Sequence, residues 1–263
     1  MSLPSASEDE NRTVRSEENE TVRSEETQDE SRSIAASLEE KMEEKSDEFD
    51  SPRWADVVFI LDCTGSMSKE IDTVKSAIDE FADEVEERGV PLRIGLVAFR
   101  DLFEGEQPQV FDLSEEIPEF QKSLSGLEAW GGGDEPESAL DAIMTALDQP
   151  FSESHQKVLV LITDAPPHVP DKNTSSFDVV RDRMEEVGLN QLYMVLPTGK
   201  ESCNIYNDLL KPDHWSGLIF DLGRGEDFEE QAEHFKETLL NLGESIATST
   251  LSAGSSTLGK GLR

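Results

Sequence analysis

Val57 to Met67 reads VVFILDCTGSM, and the fold turns on how its apolar run ends. A continuous stretch of Val, Phe, Ile and Leu marks a strand covered on both faces, as in a parallel sheet. Such a strand usually stops in Gly, Asn or Pro. This one stops at Asp62, with Thr64 and Ser66 at alternate positions around Gly65. In an extended loop, residues two apart face the same way, so two neutral hydroxyls stand beside one carboxylate. Gly65 lets the backbone curl. Hard cations such as Mg²⁺ accept this mixture of oxygens. With 4 His and 2 Cys in the chain, imidazole and thiolate are too scarce to suggest zinc.

Working outward, Met67, Ile71, Val74, Ile78, Phe81 and Val85 recur at spacings of four and three, predicting a helix that runs to Gly89. Leu92–Phe99 is a second strand and Val110–Leu113 a short third. Leu124 and Leu127 suggest a brief helix. GGGDEPESALDAIMTAL then opens another helix, with Pro136 in its first turn, where a missing N–H costs nothing. Lys157–Thr163 is the clearest strand and ends at Asp164. Phe177, Val180, Met184 and Val187 make a helix stopped by Gly188. Leu192–Leu196 and Leu218–Leu222 are strands, with a short helix over Ile205–Leu210 between them. Phe228, Ala232, Phe235, Leu239, Leu242 and Ile246 form a closing amphipathic helix.

Strands alternating with helices imply right-handed βαβ units. The expected fold is α/β, a doubly wound, mostly parallel, Rossmann-like sheet flanked by helices. Ligands of such sheets collect beyond the carboxyl ends of strands, where strand order reverses. Asp62 and Asp164 both lie at strand ends of that kind.

The motif DxTxS at Asp62, Thr64 and Ser66, on a loop between a first apolar strand and a long helix, resembles the metal-ion-dependent adhesion site of von Willebrand factor type A domains. The resemblance spans roughly residues 56–246. In that family a second loop supplies Thr and a third supplies Asp. Asp164 in LITDAPPH matches the third, whereas Asp134 stands where Thr is usual. GGGDEPE is similar to the turn of intracellular members associated with α-kinases and of the hemicentin-like group. The resemblance implies a divalent cation, Mg²⁺ or else Ca²⁺ or Mn²⁺, held by Asp62, Thr64, Ser66, Asp134 and Asp164. It implies a noncatalytic adaptor or scaffold whose metal-bearing face docks a protein partner. Asp134 as a third carboxylate would tilt the site toward Ca²⁺ and weaken attraction for a partner's carboxylate. The ion would then shape the loops or help present an acidic face to a basic partner.

Each residue also has a structural reading. Asp134 and Ser66 are natural helix N-caps, and Thr64 can hydrogen-bond within its own loop. Asp101 in FRDLF is expected in a solvated loop, with a supporting hydrogen bond to the site as the alternative. His168 is expected at the surface, Cys63 in the sheet as a small hydrophobe, and Trp130 as an exposed partner anchor.

Composition bounds the rest. Residues 1–52 hold 17 Asp and Glu against 6 Lys and Arg, repeat TVRSEE at Thr13 and Thr21, and predict a disordered acidic tail. A domain over 53–247 and a loose Ser/Gly-rich tail over 248–263 follow. Ser16 and Ser24 in the repeat are candidate phosphorylation sites. Net charge of −35 disfavours nucleic acid and anionic lipid and favours basic proteins and cations. The chain shows neither a signal peptide nor a membrane span, and its two cysteines make no disulfide framework, so a cytoplasmic setting is expected. A metal-dependent hydrolase built on the Asp cluster is the catalytic alternative. It lacks a phosphate loop or a GxSxG elbow, and the loops offer only Lys69, Arg100 and Lys172 as cations. A regulatory subunit acting in trans with a kinase or ATPase is the third reading.

Overall fold

The strands are β1 (Ala55–Asp62), β2 (Leu92–Phe99), β3 (Gln109–Ser114), β4 (Gln156–Ile162), β5 (Gln191–Leu196) and β6 (Ser216–Asp221). They form one sheet in the order β3-β2-β1-β4-β5-β6, with every pairing parallel except that of β2 with β3. The structure is a computed structural model that describes residues 54–87, 91–211 and 214–222, with Glu237 and Asn241 as isolated positions. The acidic segment, its repeat, the closing helix over 228–246 and the tail from 248 lie outside the described residues.

Side chains of a strand alternate between faces, and β1 shows why its apolar run is unbroken. Val57, Phe59 and Leu61 enter one core with Val74, Ile78 and Phe81 of helix α1 (Ile71–Glu87) and Phe120 and Leu124 of helix α2 (Ile117–Ser125). Val58 and Ile60 enter the opposite core with Leu140 and Ile143 of helix α3 (Ala139–Leu147) and Val180 and Met184 of helix α4 (Phe177–Val187). Two covered faces leave β1 and β4 no solvated side. Burying each such side chain contributes about 2 kcal/mol, so these two strands anchor both cores. Gly188, at φ 73°, ends α4 as its sequence position predicts.

Several boundaries differ from the sequence expectation. β3 is an antiparallel edge strand, irregular between Ile94 and Leu96 of its partner. α2 begins seven residues before Leu124, and a run of 3₁₀ turns, Glu201–Leu210, replaces the shorter helix predicted there. α3 does not open at Pro136, because Glu137 bridges to the loop after β4 instead. Its N–H donates to Pro166 O (3.0 Å) and its carbonyl accepts from His168 N (2.9 Å). Those bonds take the Glu137 backbone out of the helix, and Ser138 stands at the N-cap position. Asp134 therefore caps nothing here.

At the opposite, amino-terminal end of the sheet, Asp56 is fully buried. Burial would raise its pKa, but bonds from Arg93 (2.8 and 2.6 Å), His155 and the Ser152 N–H outweigh this and hold it below the usual carboxylate value. A depressed carboxylate stabilises the fold above the unfolded-state pKa, and that contribution fades as pH falls through the folded one. Asp56→Ala is expected to cost about 3 kcal/mol in urea denaturation at pH 7, with the gap from the parent closing below about pH 4.

Candidate metal centre

β1 and β4 are neighbours at the point where strand order reverses, and their carboxyl ends deliver Asp62 and Asp164 to one rim. Asp62 is fully buried. Its Oδ1 accepts from the Thr64 N–H (2.9 Å) and Thr64 Oγ1 (2.6 Å), and its Oδ2 from Thr163 Oγ1 (2.6 Å). Thr64 Oγ1 lies 3.0 Å from Ser66 Oγ, which donates to Asp164 Oδ1 at 2.9 Å. Asp62, Thr64, Ser66 and Asp164 thus form one unbroken string of oxygens spanning two loops. Burial nonetheless pushes Asp62 up to about 6. It raises Asp164 as well, against the Ser66 bond and the charge of Lys200.

The loops are fixed by backbone contacts. Gly65 N donates to Gly131 O and Trp130 N to Cys63 O, tying the DxTxS loop to the segment before α3. Arg100 donates to the carbonyls of Glu128 and Trp130, and its guanidinium stacks 4.3 Å from the Trp130 ring centre. Trp130 remains 52% exposed, in line with the expected anchor position. Glu106 accepts from Gly132 N and Asp101 N. Gly131 and Gly132 take φ of 72° and 69°, a conformation that favours glycine.

The other residues singled out in the sequence fall as follows. Ser66 caps no helix; a short 3₁₀ segment, Gly65–Lys69, precedes α1 and frees its hydroxyl for Asp164. Thr64 does bond within its own loop, as part of the string. Asp101 is buried, not solvated, because it bonds Phe103 N (2.8 Å) and Ser138 Oγ (3.2 Å). His168 is half-buried, packed at a tilt against Phe103 and 3.4 Å from Asp101, aimed at that acid and not at the oxygen string. Cys63 is buried in the core, which pushes its thiol up to about 12. Asp134 is exposed on its turn.

Four participants escaped the sequence reading. Thr163 is an unremarked strand-end residue. Lys200 comes from the loop after β5, donates to Asp164 O (2.8 Å) and pairs with Glu135. Tyr206 is fully buried and donates to Ala165 O (3.1 Å). Glu137 matters most. It is 4% exposed, faces the cluster, and its Oε2 has no hydrogen-bond partner. Gly132 leaves room for it, since a Cβ there would lie 2.8 Å from Glu137 Oε1 and 3.1 Å from Thr64 Cβ. Burial and the charges of Asp62, Asp101, Glu106 and Asp164 push Glu137 up to about 8.

Among the described residues no three His, Cys, Asp or Glu side chains already converge as a cage. The donor set still fits a hard cation, since it offers two hydroxyls, two carboxylates and one orphaned buried carboxylate oxygen, without thiolate or imidazole. In chelator, a carboxyl whose pKa is raised on folding costs stability as pH climbs from its unfolded value toward the folded one. Glu137→Gln is therefore expected to raise the thermal midpoint in EDTA, with the gain over the parent widening from pH 5 to pH 8.

A family model described as von Willebrand factor A domain matches residues 56–201. The chain is 26% identical over 152 residues to an α-protein kinase, vwkA, of Dictyostelium discoideum, covering 54% of this chain and 24% of the kinase. It is 29% identical over 198 residues to the human von Willebrand factor A domain-containing protein 7, covering 72% of this chain and 20% of that protein. A putative ariadne-like RING finger protein of Acanthamoeba polyphaga mimivirus is 22% identical over 144 residues, covering 55% of this chain and 14% of that protein. The chain thus spans about a quarter or less of these relatives. The pilus adhesin SpaC of Lactobacillus rhamnosus GG, in an open conformation, superposes with a TM-score of 0.53 at 12% identity, over 75% of this chain and 30% of the adhesin. With the matched segment running from β1 through the loop after β5, and the sheet order observed, the chain belongs to the von Willebrand factor A domain family.

Proposed function

We propose that this chain is a noncatalytic, cation-dependent protein-interaction module, with one divalent ion at the β1–β4 rim. Membership of the family supports a protein-interaction role in general. The observation that carries the finer reading is the string Asp62–Thr64–Ser66–Asp164, in which each hydroxyl has a carboxylate beside it. Thr64 and Ser66 would offer neutral oxygens and Asp62 and Asp164 the charge. When bound, the ion supplies a positive centre that stiffens both loops.

The face around this rim supports docking. Trp130, Phe103, Val169 and Ile205 are exposed apolar side chains in the loops after α2, β2, β4 and β5. Glu104, Asp134 and Glu135 stand exposed among them. Aromatic anchors within an acidic surround suit a basic protein partner. The match to part of an α-protein kinase favours a regulatory setting alongside a kinase. Cys63 and Cys203, both buried free thiols, support a reducing, cytoplasmic setting. No helix of the described residues is long and apolar enough to cross a membrane.

Calorimetric titration of the chelator-stripped protein with MgCl₂, MnCl₂ and CaCl₂ tests the reading. One ion per chain is expected, with binding lost in the Asp62→Ala and Ser66→Ala double variant. No uptake of any of the three would overturn it.

A further inference from the structure

We infer that Glu137 is the cation ligand contributed by the segment between α2 and α3, and that Asp134 is not. This rests on the cation site just proposed and identifies its missing oxygen donor.

Glu137 is clamped on both sides by backbone bonds to the loop that carries Asp164, through Pro166 O and His168 N. The next residue, Ser138, is pinned to the loop after β2, accepting from Leu102 N (3.0 Å) and donating to Asp101 (3.2 Å). A side chain launched from such a backbone is preorganised, which a ligand needs. Gly132 clears the space it enters. At Gly132 any Cβ would press on Glu137 Oε1 and the Thr64 side chain together, so Glu137 lies against the hydroxyl-bearing loop.

Glu137 Oε2 is buried without a hydrogen-bond partner. A buried carboxylate oxygen without a donor is costly, and more so among other acids. Three cations of the surrounding loops are committed elsewhere. Lys200 serves Asp164 O and Glu135, Arg100 serves two carbonyls, and Lys172 donates to Leu102 O. A metal ion among Asp62, Ser66, Asp164 and Glu137 would give that oxygen a positive partner. Asp134, three residues earlier and exposed, is solvated and needs no such partner. The family resemblance pointed to Asp134 because it stands where Thr is usual; the backbone bridge at Glu137 points to Glu137 instead.

The test is Mn²⁺ affinity of the full chain, measured by calorimetry and by the electron paramagnetic resonance signal of free Mn²⁺. Glu137→Gln, Glu137→Ala and Asp134→Asn are compared with the parent, and thermal midpoints in EDTA report folding. Losing a direct ligand should cost at least as much as losing a supporting one, about tenfold or more. Expected is a tenfold or greater weakening in both Glu137 variants with Asp134→Asn within twofold of the parent. Should Glu137→Ala not fold, Glu137→Gln, which keeps the side-chain shape, carries the comparison. A parent that binds Mn²⁺ with Glu137→Gln unchanged overturns the inference while leaving the cation site standing, as does a loss confined to Asp134→Asn. A parent that binds no Mn²⁺ removes both.

Discussion

A fully buried carboxylate at the end of an apolar strand is stable only where donors or a positive charge meet it. Asp62 is in that position, and the surrounding structure can be understood as the means of meeting it. Thr64 and Thr163 supply hydroxyls from two strand ends. Ser66 extends the string to Asp164, and the glycines of the neighbouring loop let its backbone approach closely enough for Gly131 O to accept from Gly65. The two cores on either face of β1 hold this rim still. Their apolar burial is what permits polar groups to be gathered where water cannot compensate for a misplaced one.

The arrangement remains electrically one-sided. Asp62, Asp164 and Glu137 all have pKa values raised, with burial as the largest cause in each. The positive groups nearby are directed at carbonyls or outer carboxylates, so hydroxyls bear most of the compensation. The proposed divalent ion would supply the positive charge that the described residues do not bring to this rim. That asymmetry also separates this rim from Asp56 at the opposite end of the sheet, where Arg93 meets the buried acid directly and its pKa falls.

Much of this was legible in the sequence because period and chemistry coincide there. β1, β2, α4 and the helix stop at Gly188 follow from apolar spacing alone, and Asp62, Thr64, Ser66 and Asp164 announce themselves by standing where apolar strands end. The segment GGGDEPE misled, since Pro136 and Asp134 imitate a helix start. What moved α3 to Ala139 is a backbone bridge between Glu137 and Pro167, a contact between loops 30 residues apart that local propensity cannot register. The same long-range clamp turned Glu137 inward. Asp101 was misread for a related reason, as its burial depends on Ser138 arriving from another loop. A signal for Glu137 did exist: an acid immediately before the Ser-Ala-Leu of a strongly apolar helix, following three glycines, is placed to face a core instead of solvent.

Anomalous diffraction from crystals grown with MnCl₂ addresses the central claim most directly, because it locates the ion instead of counting it. A single strong peak is expected at the β1–β4 rim, about 2 to 2.5 Å from Ser66 Oγ and adjacent to Asp164. A map with no peak there, in crystals whose Asp62, Ser66 and Asp164 are well ordered, would contradict that claim.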